Sequence, residues 1–537
     1  MIRNPYTRHI LAVVAVVAFG LAASAFADDG DRRGGNLTYV HLQSIDSLDA
    51  NIGGGANVFR IMRQIYDPLV WQDAEGRIVP GIAQSWEISE DGTTYTFHLR
   101  DDVLFHDGTR VDAAAVKATF DRIMDPASRS LQAGRLENYR DTEVIDEFVV
   151  AMHLTEPFPG LLNNLTEAAL SPASSAAVES LGDDYTLSPV AAGPFRVREW
   201  IDDNTLVLER FPEYSWAPDF MENQGAAYLD TVTVRIVEEG STRLLSLETG
   251  EADIVNAPPL QDVDRLEATG QYQLHAAIAP GMPQSIAPNT QEGPASDFAV
   301  RQAMAYGVDR EALIDLVFFG RTNIAQGPLA TSTWGYWPGV EDMAYPYDPE
   351  RAEAVLEEAG WIRNPQTGIR EKDGTPLAMR QIVSASADWT RVGEFYQASL
   401  NALGFDITVE PMLAQAAGVR YADGTYESAR SGLGNYDPQR IFFMIFHSTQ
   451  IAEGAQYNRS RVIDPYVDEL IERGAVETNE AERLAIYEEL QRYIMEQLYT
   501  IPVYEVNFYH VLQDHVMGFH TDVHARPYLH DVWLDRR

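Results

Sequence analysis

The chain has 537 residues, 80 acidic against 40 basic side chains, a formal net charge of −40 and no cysteine. An acidic excess of this size sets nucleic acid aside as a partner, and the missing cysteine excludes disulfides and thiolate metal sites. The length predicts roughly three domain-sized units, and the 45% apolar content is ordinary for a globular protein. Only Lys117 and Lys372 are lysines, so nearly every base is an arginine. Two readings of the charge stay open: an acidic surface suited to high salt, where screening relieves self-repulsion, or a coding bias toward arginine in a merely acidic protein.

At the N-terminus, Arg3, Arg8 and His9 precede an uncharged run over residues 10–23, and Ala25-Phe26-Ala27 follows as an A-x-A cleavage signal. The apolar run is short for a membrane span. Residues 1–27 are therefore expected to be a cleaved signal peptide. Without a cysteine to carry lipid, the mature chain is expected to be a periplasmic protein with no anchor. The longest later apolar run, residues 441–446, is far below spanning length.

Strand-like and helix-like segments interleave, as in a mixed α/β protein. Residues 37–42 read as a strand, and "ANVFRIMRQIYDPLVW" carries Val58, Ile61, Met62 and Ile65 at helical spacing until Pro68 ends the pattern. "TYTFHLRDDVLFHDGTRVDAAAVKATFDRI" concentrates histidines and aspartates, yet its parts are scaffold. Tyr95, Phe97 and Leu99 alternate with polar residues, so His98 falls on the polar face of a strand. Asp107-Gly108 marks a turn, Asp112 is a helix N-cap, and Val116, Phe120 and Ile123 form a buried helical stripe. His98 and His106 lie on different segments without ligand partners at metal spacing. Further on, "SDFAVRQAMAYGVDREALIDLVFFG" predicts two helices with Asp309 capping the second. "DPERAEAVLEEAGW" predicts a helix stopped at Gly360, and "TRVGEFYQASLNALGFDITVE" a helix, a Gly404 stop and a strand. Residues 463–506 predict two helices and a strand entered through Pro502.

"GIAQSWEISEDGTTYTFHLRDDVLFHDGTRVDAAAVKATFDRI", "AAGPFRV", "VRQAMAYGVDREALI" and "ERLAIYEELQRYIMEQLYTIPVY", in this order, resemble the large solute-binding proteins of ABC importers. That family includes dipeptide-, oligopeptide- and nickel-binding proteins, and the resemblance runs from about residue 36 to the C-terminus. It implies an α/β, two-lobed periplasmic binding protein of type II, with a hinge and an extra subdomain in lobe I. Lobe I is expected over residues 28–279, with 510–537 returning to it, and lobe II over 280–509. It also implies a monomer that captures a small carboxylate-bearing solute, a peptide or peptide-like molecule, and delivers it to membrane permease subunits. No cofactor or resident metal is expected.

Independently of the resemblance, the sequence has no H-E-x-x-H, G-x-S-x-G or C-x-x-C motif, and neither lysine stands in a phosphate-loop context. An enzyme is therefore not expected; a secreted hydrolase remains the alternative from another class, and a nickel or metal-chelate binder the alternative of the same fold.

The resemblance points to a ligand clamp in "SASADWTRVGEFYQ" and "SARSGLGNYDPQRIFFMIFHS". Arg391 matches an arginine that in dipeptide-binding relatives reaches the ligand carboxylate, and a guanidinium suits that role. Trp389 is either an aromatic wall for the ligand or core packing. Where peptide binders show G-D-x-x-D-P, this chain has Gly434-Asn435-Tyr436-Asp437-Pro438, one residue shorter and without an acid at the first place. Asn435 can hydrogen-bond an amine but cannot neutralise it, which puts free-amine peptides in doubt. Asp437 is either a ligand partner or a turn former. Tyr139 and Trp334 fall in regions that line the cleft in the family. His447 alone is a weak metal signal.

Overall fold

The computed structural model describes residues 32–45, 47–53, 58–74, 76–136, 138–202, 204–435, 437–451 and 457–536. The signal-peptide segment and Tyr436 lie outside the described residues.

Two large sheets carry the two lobes. The first has seven strands in the order Tyr272–Ile278, Asn507–Gln513, Ile254–Asn256, Asn36–His41, Thr231–Ile236, Thr205–Arg210 and Phe195–Asp202. Asn36–His41 is buried at its centre and runs parallel to both its neighbours, while the outer pairs are antiparallel. The second sheet has five strands in the order Asp406–Met412, Ala378–Ser384, Ser428–Gly434, Gly281–Pro288 and Ile501–Tyr504. Its first three strands are parallel, so helix Ala387–Ala402 serves as a crossover. That helix buries Trp389, Val392, Tyr396 and Leu400, one stripe at helical spacing.

A third, four-stranded antiparallel sheet, Ala83–Ile88, Thr94–Leu99, Val149–Leu154 and Tyr139–Asp146, has its own core within the N-terminal half. The histidine- and aspartate-rich stretch builds this unit. Thr94–Leu99 alternates between half-buried and buried residues, and Asp112 accepts the Ala115 N–H at 2.8 Å to cap Ala113–Met124. His106 is buried against backbone, its Nε2 3.0 Å from the Gly193 carbonyl. Among the described residues no cluster of three or more His, Asp or Glu stands where it could hold a metal ion.

The chain passes between the two large sheets twice, at residues 279–280 and 505–506, and the crossings are tied together by the Ala279 N–H donating to the Val506 carbonyl at 2.8 Å. The second sheet change therefore comes a few residues earlier than expected from sequence, because residues 507–509 already pair with Tyr272–Ile278. Gly281 starts the lobe II strand with φ 129°, and a Cβ there would stand 2.2 Å from the Leu433 carbonyl oxygen, so only glycine fits this turn out of the hinge. Arg321 of lobe II adds an ion pair to Asp264 and Glu267 of lobe I on the hinge side.

The expected helix after residue 57 is shorter than its apolar spacing suggested, covering Phe59–Met62. The Gln64 carbonyl would need an N–H from residue 68, which is Pro68 and has none. The Gln64 and Ile65 carbonyls instead accept the N–H groups of Phe195 and Gly193.

Candidate functional site

In lobe II the parallel strands Ala378–Ser384 and Ser428–Gly434 end together, and the chain leaves them into helices Ala387–Ala402 and Pro438–Phe446. The carboxyl ends of parallel strands are where open α/β sheets present ligand sites. The two exits place different chemistry.

At the first exit, beside the hinge, a cavity of about 280 Å³ is lined by Trp389, Gln284, Arg430 and Tyr504 of lobe II and by Leu260 and Tyr509 of lobe I. The Gln284 amide oxygen accepts Trp389 Nε1 at 3.2 Å and Arg430 Nε and Nη2 at 3.1 and 2.9 Å. The Arg430 guanidinium lies 5.7 Å from the Trp389 ring. Burial, reinforced by Arg459, pushes its pKa below the ordinary arginine value.

At the second exit a larger cavity, about 420 Å³, opens between the lobes, lined by Tyr95, Leu162 and Asn163 on one side and Trp334, Thr478 and Arg483 on the other. Trp334 meets Tyr487 edge-on at 6.0 Å, with Arg483 5.1 Å from its ring. Asp437 sits beside this wall. It caps helix Pro438–Phe446 by accepting the Gln439 N–H at 2.8 Å, and Arg483 Nη2 lies 3.0 Å from each of its oxygens. From the opposite lobe, Asn163 Nδ2 donates to Asp437 at 3.3 Å.

A second cross-lobe hydrogen bond runs from Arg440 Nη1 to the Gly134 carbonyl at 3.3 Å. Next to it, Arg135 donates to Gln132 at 2.9 Å and stands 5.6 Å from the Phe59 ring. Behind Arg135, Glu167 is paired with Arg526 at 2.6 Å and lies 3.3 Å from His524. Although burial opposes ionisation there, Arg526 and His524 hold the Glu167 carboxyl well below its ordinary range.

The residues singled out from sequence divide accordingly. Trp334 lines the inter-lobe cavity and Trp389 the hinge cavity. Trp389 is also core, at 4% exposure. Asp437 faces the other lobe, yet its carboxylate is engaged by Arg483. Asn435 is half-buried and turns its amide oxygen onto the Asp437 N–H at 3.0 Å, a loop-shaping contact. Arg391 is exposed, the fifth residue of its helix, and lines neither cavity; Asp388 and Trp389 of the first turn face the hinge cavity instead. Tyr139 belongs to the four-stranded unit, its hydroxyl 2.7 Å from Thr142 Oγ1 and its ring 6.2 Å from Phe120. His447 is buried, with Nδ1 2.8 Å from Thr449. Sequence reasoning missed Arg135, Asn163 and Arg483, which lie in unremarkable local contexts, and Arg430 and Arg440, whose only signal was their place within the segment that the resemblance marks as the clamp.

Comparison with known proteins follows the same lines. The family model described as bacterial extracellular solute-binding proteins, family 5, middle region, matches residues 77–453. The glutathione-binding protein GsiB of Pectobacterium atrosepticum is 30% identical over 449 residues, covering 83% of this chain and 84% of that one. GsiB of Escherichia coli K12 is 28% identical over 494 residues, 91% and 92% of the two chains. Among solved structures, NikA from Brucella suis in complex with Fe(III)-EDTA superposes with a TM-score of 0.83 at 25% identity, over 93% of this chain and all of that one. DppA from Helicobacter pylori in complex with the peptide STSA gives 0.75 at 26% identity, over 95% and 99%. No helix among the described residues is long and apolar enough to cross a membrane.

Proposed function

The chain belongs to the bacterial extracellular solute-binding proteins of family 5, and on that premise we propose that it is the periplasmic substrate-binding component of an ABC importer. It takes a carboxylate-bearing peptide or peptide-like solute and hands it unchanged to the membrane permease. The observation that carries the ligand class is the set of arginines around the cleft, Arg135, Arg430 and Arg440, none of which meets a carboxylate at ion-pairing distance among the described residues. The hinge cavity that Arg430 lines also carries Asp388 and Glu505, so in a chain of net charge −40 what favours an anion is local to these guanidinium groups, each a charge-assisted donor for a carboxylate.

Mechanistically, the lobes rotate about residues 279–280 and 505–506. Contacts such as Asn163–Asp437 exist only when the lobes meet, so a solute touching both lobes shifts the equilibrium toward closure. Relatives named for glutathione make that tripeptide the first candidate. The likeness to NikA with Fe(III)-EDTA favours a second reading, a polycarboxylate metal chelate, because arginines that hold a peptide carboxylate hold a chelator's equally well. Calorimetry against glutathione, short peptides and Fe(III)-EDTA separates the two, and ligand recovered chemically intact is the expected outcome. Product formed in excess of the protein would overturn the carrier reading.

A further inference from the structure

Arg135 ends a short 3₁₀ turn of lobe I, Ala133–Arg135, and Arg440 lies in the first turn of lobe II helix Pro438–Phe446. The hydrogen bond from Arg440 to the Gly134 carbonyl sets the two arginines beside one another across the cleft. Among the described residues neither meets a carboxylate at ion-pairing distance. Glu167, the acid that acts on Arg135, is held by Arg526, and Asp437, three residues before Arg440, is held by Arg483. Each arginine also sits where a cation is disfavoured. Burial pushes the Arg135 guanidinium below its ordinary pKa, and Arg526 and Arg440 push it further, against the pull of Glu167. Arg440 occupies the positive end of a helix dipole. Closing the lobes therefore brings two like charges together in a partly desolvated space, where repulsion is stronger than in water.

We propose that Arg135 and Arg440 form a two-sided clamp for an anionic group of the solute, a carboxylate, so that the ligand's negative charge gates closure of the lobes. This deepens the solute-binding reading and rests on it. Without an anion the pair opposes closure. A carboxylate between them converts repulsion into two charge-assisted contacts, one from each lobe, present only in the closed state. The clamp selects for charge at this position, whereas the cavity walled by Trp334 and Tyr95 suits an apolar part of the same solute.

The absence of cysteine makes the test direct: Glu143→Cys on lobe I and Glu469→Cys on lobe II, both exposed, accept a donor–acceptor dye pair that reports lobe separation. Arg135→Gln is the informative variant, because the contacts of Arg135 lie within lobe I and its loss removes charge without removing a cross-lobe bond. Expected in the ligand-free protein is a shift toward the closed separation relative to wild type. Glutathione and Fe(III)-EDTA are then titrated into both proteins. Whichever closes the wild type should require at least tenfold more to close Arg135→Gln, and Arg440→Gln should lose a similar factor. The probe that closes the protein identifies a peptide or a chelate as the source of the carboxylate. Equal lobe separation in ligand-free wild type and Arg135→Gln overturns the clamp, as does an unchanged titration midpoint. If both proteins close with an uncharged solute at equal concentration, the clamp falls while the carrier function stands.

Discussion

Asp437 and Arg483 form a buried ion pair in which one guanidinium nitrogen lies 3.0 Å from both carboxylate oxygens, each residue being about 5% exposed. The pair joins the helix that begins at Pro438 to helix Glu480–Glu496, and its acid is thereby withdrawn from the task of neutralising a ligand amine. Asp437→Asn should leave Arg483 buried and uncompensated, at a cost of roughly 3–5 kcal/mol. Urea unfolding checks this. Unchanged stability together with a lost preference for free amines would return Asp437 to the ligand.

Asn163 is the only residue of lobe I hydrogen-bonded to Asp437 among the described residues. Because it is half-buried and makes that bond only when the lobes meet, its removal should act on closure rather than on folding. Asn163→Ala is expected to weaken ligand binding about three- to tenfold, the worth of one neutral-to-charged hydrogen bond that is partly replaced by water, and to leave the unfolding midpoint within error. Calorimetry and denaturation on the same preparation provide both readings.

Arg391 was the sequence's best candidate for the ligand carboxylate, and it stands in solvent outside both cavities. Its replacement by alanine should change affinity by less than about 0.5 kcal/mol, as for surface substitutions generally. A loss of 3 kcal/mol or more in calorimetry would put the carboxylate at Arg391 after all and away from the Arg135–Arg440 pair.

Local physics was legible in the sequence and assembly was not. The alternation at Tyr95, Phe97 and Leu99, the caps at Asp112 and Asp309 and the stops at Gly360 and Gly404 need only neighbours within a few residues, and each stands as read. The helix stops at Met62, short of its apolar spacing, because the Gln64 and Ile65 carbonyls beyond it are claimed by residues 195 and 193, a tertiary event. The site fares the same way. Trp334 was reachable by resemblance, but Arg440 and Gly134 are 306 residues apart, and nothing local marks an arginine as lacking a carboxylate partner.

The net charge of −40 also carries a consequence for folding. Many of its acids are exposed, and their mutual repulsion should weaken the folded state when screening is low. The melting temperature is expected to rise between dilute buffer and about 1 M NaCl, where the Debye length falls to roughly 3 Å. A flat curve favours coding bias over salt adaptation as the origin of the arginine-for-lysine usage.

Stability should respond to pH in two opposing ways, set by groups buried uncharged. Burial lowers His41, His106 and His524 to about 4 and His510 to about 3. Below the ordinary histidine pKa of roughly 6.5 the unfolded chain takes up these protons and the folded one does not, so stability falls as pH drops from about 6.5 toward 4. Asp67 works the other way. It is 1% exposed, accepts the Tyr214 hydroxyl at 3.0 Å, and is pushed up to about 7 by burial. Between pH 4 and 7 the unfolded chain releases this proton while the folded one keeps it, so Asp67 lowers stability progressively across that window, by up to about 4 kcal/mol at its upper end. Asp67→Asn keeps the shape and the acceptor for Tyr214 but cannot ionise. The melting temperature of the variant relative to wild type should therefore climb from pH 4 to about 7 and level off above it. A difference that is constant with pH would mean that Asp67 is ionised in the folded protein throughout.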